Sequence, residues 1–302
     1  MKIGYIDAFS GASGDMLIGA LLDAGLPFDA LESTLATMSL GGYRLLAEEQ
    51  VRRGISGCKF TVVDEGTDRP ARNLAAVAEA IHRADLSPAV VERSLAVFRA
   101  VAVAEAAVHG VSIDEVHFHE IGAVDSLIDI VGFCWGLERL GIEALYASPL
   151  PLGSGSIRTE HGLLPVPAPA TLDILAAVGA PTVPTGARGE LVTPTGAALL
   201  AVCAEFRQPA MAVQRVGYGF GTKEFPWANM LRLWVGEAVE TAWTPGPSAA
   251  AHDHDHGHDH PHPHEHPHGE GEAHDHDHDH GHDHDHGHDH DHPHGPEHGH
   301  TH

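Results

Sequence analysis

The chain opens on MKIGYIDAF, where apolar positions alternate with small or polar ones, the period-2 signature of a strand. It runs through SGASGD into DMLIGALLDAG, whose apolar residues at 16, 17, 20, 21 and 24 keep helical spacing until Gly25 and Pro27 end the run. Residues 43–51 and 59–63 read as two strands of a hairpin, joined through the 54–57 region. Residues 73–109 are rich in Ala and Val at a period of 3.6. Pro88, with Ser87 as its cap, divides them into two helices. A further helix is expected at about 126–140, directly after HFHEIGAVD. Beyond it the texture changes. Residues 148–196 are crowded with proline and glycine, in SPLPLGSGS, LLPVPAPAT and LVTPTGAA, yet carry few charges. That combination predicts ordered loops around a site, not a linker. Short strands near 211–216 and 230–235 close the body, with GYGFGTKEFP between them as a glycine-dense loop. The expected fold class is α/β or α+β, a mixed sheet with packed helices over residues 1–243, with room for two subdomains near 1–140 and 141–243. Residues 244–302 read as a hinge and a disordered tail.

Composition explains that last boundary. Residues 252–302 hold 23 of the 28 histidines and 14 of the 42 acidic residues, with no Lys or Arg and Ala273 as the single apolar side chain. Such a segment cannot bury enough apolar surface to offset its ordering entropy. Without it, 28 acids face 17 bases, a net charge of -11 rather than -25, and the apolar fraction rises from 43% to about half. This suits one large or two modest domains. The start lacks a cationic region followed by a long apolar run, so it does not read as a secretory signal. No stretch approaches a membrane-spanning length. Net acidity without a Lys/Arg cluster argues against nucleic acid or an anionic membrane as partner. Cys58, Cys134 and Cys203 are scattered, form no CxxC, and fit a reduced, cytoplasmic setting.

The tail carries the loudest chemical signal. Repeats such as HDHDHGHDH place imidazole at every second residue, beginning with His252, His254, His256, His258 and His260. Imidazole suits nickel, copper and zinc, and it must be neutral to ligate, so capacity should fall below about pH 6.5. The second constellation is His117, His119, Glu120, Asp125 and Asp129 in VHFHEIGAVDSLID. His117 and His119 would share one side of an extended segment, and Asp125 and Asp129 one face of the following helix. Together they could hold a divalent ion. Alternatively, His119 or Glu120 caps the helix and Asp125 is its N-cap. The third is Asp7 with SGASGD. A strand turning through Ser10, Gly11, Ser13 and Gly14 into a helix offers backbone N–H groups to an anion, and Asp15 could ligate a cation. The motif is not a P-loop, since the lysine and spacing are missing. A tight turn capped by Ser13 or Asp15 is the plainer alternative. His161 in TEHGLLPVPAPAT is either a structural hydrogen-bonder or part of a site. Thr193 and Thr195 in VTPTGAA could cap a helix or hold a phosphate. His82 and His109 read as surface or packing residues, and Cys134 as buried.

With these residues in hand, the chain resembles the LarC family, the nickel insertion proteins of nickel-pincer cofactor synthesis. YIDAFSGASGDM, VHFHEIGAVDSLIDIVG, SPLPLGSG with HGLLPVPAPAT, and GELVTPTGAALL carry the match, with GYGFGTKEFPWANMLRLWVGE as a looser block. The resemblance implies insertion of Ni(II) into pyridinium-3,5-bisthiocarboxylic acid mononucleotide, forming two Ni–S bonds and one Ni–C bond. It implies CTP with Mg or Mn, bound by a C-terminal portion that follows the histidines in full-length members and is made separately in some. On this reading His117, His119 and His161 receive nickel. Glu120 or Asp125 takes the released proton, and Asp15 with the Ser10–Gly14 turn holds phosphate or its counter-ion. The sequence leaves room for a homo-oligomer. The same residues also admit a non-catalytic nickel chaperone or store, or a metal-dependent phosphohydrolase built on HFHE.

Overall fold

The alternation of the first strand is satisfied by partners far along the chain. The computed structural model describes residues 1–66, 72–116, 118, 124–159 and 162–240. Strand β1 (Lys2–Asp7) leads into helices α1 (Gly14–Asp23) and α2 (Phe28–Ala36), then the hairpin of β2 (Tyr43–Arg52) and β3 (Ile55–Asp64). Helices α3 (Leu74–Arg83), α4 (Pro88–His109) and α5 (Val124–Arg139) follow. After them come β4 (Ala144–Ala147), β5 (Leu150–Ser154), β6 (Ser156–Thr159) and β7 (Gly162–Pro165). Next are α6 (Pro169–Ala177), β8 (Thr182–Arg188), α7 (Pro194–Cys203), β9 (Ala204–Glu205), β10 (Met211–Phe220) and β11 (Met230–Ala238).

Seven strands form one mixed sheet in the order β2-β3-β10-β11-β1-β4-β9. Strand β1 pairs antiparallel with β11, from Lys2 opposite Glu237 to Asp7 opposite Arg232, and parallel with β4. The class is α/β with a mixed sheet, as the pattern of periods implies. Strands from both sides of residue 140 share it. Contacts divide the chain into Met1–Pro245 and Gly246–His302, and every described residue lies in the first unit.

Helix α1 explains a sequence feature that the pattern misreads. GYGF is not a loop, which begins only at Gly221: Gly217 and Gly219 lie in β10, two apart and so on one face. A Cβ at Gly219 would overlap the carbonyl oxygen of Met16, and one at Gly217 that of Ala20. The glycines therefore let α1 lie directly on the strand. On its other side α1 meets α5, where a Cβ at Gly136 would stand 2.8 Å from Leu21 Cδ1. Held between sheet and helix, α1 buries Met16, Leu17, Ile18, Ala20 and Leu21, more than one face of a helix. Each large apolar side chain so buried contributes roughly 1.5–3 kcal/mol.

Other departures have local causes. The hairpin turns at Arg53 and Gly54, both at positive φ, so Gly57 sits within β3, where a side chain would strike Tyr218. Strands β10 and β11 run past 216 and 235. Helix α2 buries only Leu31 and Leu35, too sparse a pattern to stand out. Residues 148–196 contain short strands and two helix starts in place of loops. Pro169 and Pro194 occupy the first turns of α6 and α7, where a missing N–H costs nothing. Ser87 caps α4 as its position predicts, accepting from Val90 N at 3.2 Å. Cys134 is buried, His82 is exposed, and His109 pairs with Glu105. Among the described residues, no helix is long and apolar enough to cross a membrane.

Candidate functional site

A single bridge brings two helix starts together. Ala12 N donates to Leu191 O at 3.0 Å and Thr193 N to Ala12 O at 3.1 Å, joining residues 180 apart in sequence. The approach is close enough that Gly11, at φ 104°, lies against Leu191, and Gly196 against Ala12. Ser13 is the N-cap of α1 and Thr193 that of α7, its hydroxyl accepting from Gly196 N at 3.1 Å. The first turn of α5 arrives from a third direction with Asp125, which accepts from Ser126 N at 2.8 Å, and with Asp129 one turn on. Gly14 is side-chain-free because the Asp129 carboxyl occupies the space a Cβ would need.

Between these three helix starts lies a cavity of about 380 Å³. Its walls include Ser13, Asp15, Lys59, Asp125, Asp129, Glu190, Thr193, Thr195 and Thr222. A neighbouring cavity of about 190 Å³ shares Ser13, Asp15, Glu190, Thr193 and Thr222 and adds Lys223 and Asn229. The combined size is that of a small-ligand site. Lys59, 7% exposed, pairs with Asp15, and its Nζ donates to Thr222 Oγ1 at 2.9 Å. Ser13 Oγ donates to Asp15. Asp129 is half-buried, and its Oδ1, shielded from solvent, has no hydrogen-bond partner among the described residues. Burial, with Asp15 and Asp125 close by, holds its carboxyl well above the usual carboxylate range, and Lys59 opposes this only in part.

The structure thus draws Ser13, Gly14, Asp15, Asp125, Thr193 and Thr195, three separate stretches of sequence, to one cavity. Ser10 and Gly11 shape the turn instead of lining the cavity. Ser10 Oγ accepts from Trp227 Nε1 at 2.9 Å, and Ser10 N donates to Met230 O at 3.1 Å. Asp7 is taken up by an ion pair with Arg232. His117, His119, Glu120, His161 and His252, His254, His256, His258 and His260 lie outside the described residues. Among the described residues, no three His, Cys, Asp or Glu side chains are already arranged to hold a metal ion. Lys59 and Thr222 were not anticipated from sequence. The available signal was a lysine inside the apolar run CKFTVV. Chemically, first-turn N–H groups without intrahelical acceptors favour an anion, whereas the carboxylates favour a cation or a proton donor.

A family model described as nickel insertion protein matches residues 4–262. The chain belongs to the nickel insertion protein family. A pyridinium-3,5-bisthiocarboxylic acid mononucleotide nickel insertion protein of Desulfitobacterium hafniense is 48% identical over 243 residues, 80% of this chain and 60% of the relative. Its counterpart in a second strain is 47% identical over the same span. A Thermomicrobium roseum relative, also named for nickel insertion, is 55% identical over 239 residues, 79% of this chain and 59% of its own length. The chain therefore spans about 60% of the length of these nickel insertion proteins. No solved structure matches it.

Proposed function

We propose that this chain is the nickel-handling and substrate-binding part of a cytoplasmic, lyase-type cyclometallase. It would place Ni(II) into pyridinium-3,5-bisthiocarboxylic acid mononucleotide in the synthesis of the nickel-pincer cofactor. The observation that carries the reading is the family match over residues 4–262, which spans the candidate cavity. The tail, beginning with His252, His254, His256, His258 and His260, collects nickel on exchangeable imidazoles. His117, His119 and His161 receive it. The phosphate of the mononucleotide sits at the starts of α1 and α7, near Asp15, Thr193 and Thr195, on the turn set by Ser10, Gly11, Ser13 and Gly14. Forming the Ni–C bond releases one proton from the pyridinium carbon, and Glu120 or Asp125 accepts it. CTP with Mg or Mn belongs to a separate portion of the full-length protein. Among the described residues, Lys59 is the single cation on the wall of the larger cavity, a poor match for a triphosphate. A homo-oligomer is compatible with this reading.

The test is to incubate the chain with ligand, CTP, Mn(II) and Ni(II), with and without the C-terminal portion of a full-length relative, and to look for nickelated product by mass spectrometry. Product in the combined mixture is expected. Its absence from both mixtures would defeat the reading. The 23 histidines of residues 252–302 favour a second reading, a nickel store. Deleting those residues should leave insertion intact at saturating nickel, whereas a store would lose its function.

A further inference from the structure

Helix α4 carries two apolar stripes, and the fold of one chain uses only the first. Val90, Ser94, Val97, Val101 and Ala104 recur at alternating steps of four and three, and all are buried. Ala96, Ala100, Val103 and Ala107 repeat the same steps on the adjoining surface, where all but Ala100 are exposed. This second stripe forms one wall of an apolar groove of about 560 Å³. The other walls come from α6 and from the end of α7 opposite Thr193, with Val178 and Val202 among them. Val103 is 54% exposed, Val178 48% and Val202 37%. Two charges interrupt the apolar lining, Arg99 on α4 and Asp173 beside it on α6. Both are exposed, and neither has an ion-pair partner among the described residues.

An occupant that fits this groove must be apolar and must bring one charge of each sign. Residues 252–302 do not qualify, since Ala273 is their single apolar side chain. A second copy of the chain does. Across a two-fold axis the same patch faces itself, so every residue pair occurs twice with the roles exchanged. An Arg and an Asp on one patch are then complementary to that patch on another copy. The alanines at 96, 100 and 107 keep the second stripe low, which suits the close approach of a helix at about 8–10 Å between axes. We propose that α4, α6 and the end of α7 form an isologous dimer interface. The second stripe of α4 packs against a second copy, and Arg99 pairs with the partner's Asp173.

The test is analytical ultracentrifugation of the full chain over a range of concentrations, in EDTA so that metal cannot bridge the histidine-rich tails. The chain should sediment as a dimer. Val103→Glu places a charge on a side chain that one copy leaves exposed, and it should weaken dimerisation about tenfold or more. Arg99→Asp and Asp173→Arg should each do the same, because like charges then face each other twice. The double variant, Arg99→Asp with Asp173→Arg, should return to within about threefold of the original affinity. Should Val103→Glu misfold by circular dichroism, the two charge reversals, both at exposed positions, carry the test. A chain that stays monomeric at every concentration would overturn the proposal. So would a dimer indifferent to a folded Val103→Glu, or single reversals that the double variant does not rescue. A monomeric chain that instead binds the separately made C-terminal portion of a full-length relative, and loses it on Val103→Glu, would also overturn it, since the groove then has a different occupant.

Discussion

At Cys58, burial pushes the thiol up to about 11, with the carboxylate of Asp23 adding to the effect. At pH 8 about one thiol in a thousand is then ionised, against about one in ten for an unperturbed group near 9. Alkylation of Cys58 in the native protein should be about a hundredfold slower than in urea and should accelerate roughly tenfold per pH unit up to pH 10. Peptide mass spectrometry over time measures this, and rapid labelling at pH 8 would contradict the burial. Thr193 offers a second test. Its hydroxyl is the side-chain cap of α7, so Thr193→Ala should cost about 1 kcal/mol and Thr193→Ser little. For a body of this size that corresponds to about 2–4 °C in Tm. Caps such as Ser87 and Thr193 are legible in sequence because capping is local. Lys59 was not, because its partners Asp15 and Thr222 are 44 and 163 residues away and only the sheet brings them together.

Between elements, the contact that most constrains the fold is α1 on the glycine face of β10. Gly219→Ala should cost about 3 kcal/mol or more, since backbone on the facing helix must move. Gly54→Ala is the control. It sits in an open turn at φ 80° with nothing nearby and should show only the left-handed penalty, about 1 kcal/mol. Denaturant midpoints compare the two, and equal losses would mean that α1 does not press on β10 as described. The same contact shows where sequence reading runs out. Helices α3, α4 and α5 announce themselves by apolar period, and β1 by alternation. The glycines of β10 imitate a loop because the reason for them is a helix two hundred residues earlier. The site behaves alike: the segments around Ser13, Asp125 and Thr193 were visible, but no local pattern encodes the Ala12–Val192 bridge that joins the first to the last.

On the scale of the whole molecule, charge and chemistry are unevenly shared. Residues 252–302 bring 14 acids and no bases, so removing them takes the formal charge from -25 to -11. They also contribute almost no apolar side chain, so deleting them should shift the body's Tm by no more than about 2 °C. The deletion should nevertheless abolish high-capacity nickel binding. Thermal melts and equilibrium dialysis with Ni(II) check the two halves of that expectation. A large loss of thermal stability would show that the histidines take part in the fold.

The position of β1 between β11 and β4 has a consequence for synthesis. Its neighbour on one side lies some 225 residues further along the chain, from Asp7 to Arg232. At 5–20 residues per second, the first strand leaves the ribosome roughly 10–50 seconds before β11 exists to cover it. During that interval its edge is open to pairing with other chains. The cavity is delayed with it, because its walls come from both ends of the body. The newborn protein cannot complete that cavity until nearly all of the body has been made, and its yield in the cell should depend on chaperones that shield nascent strands.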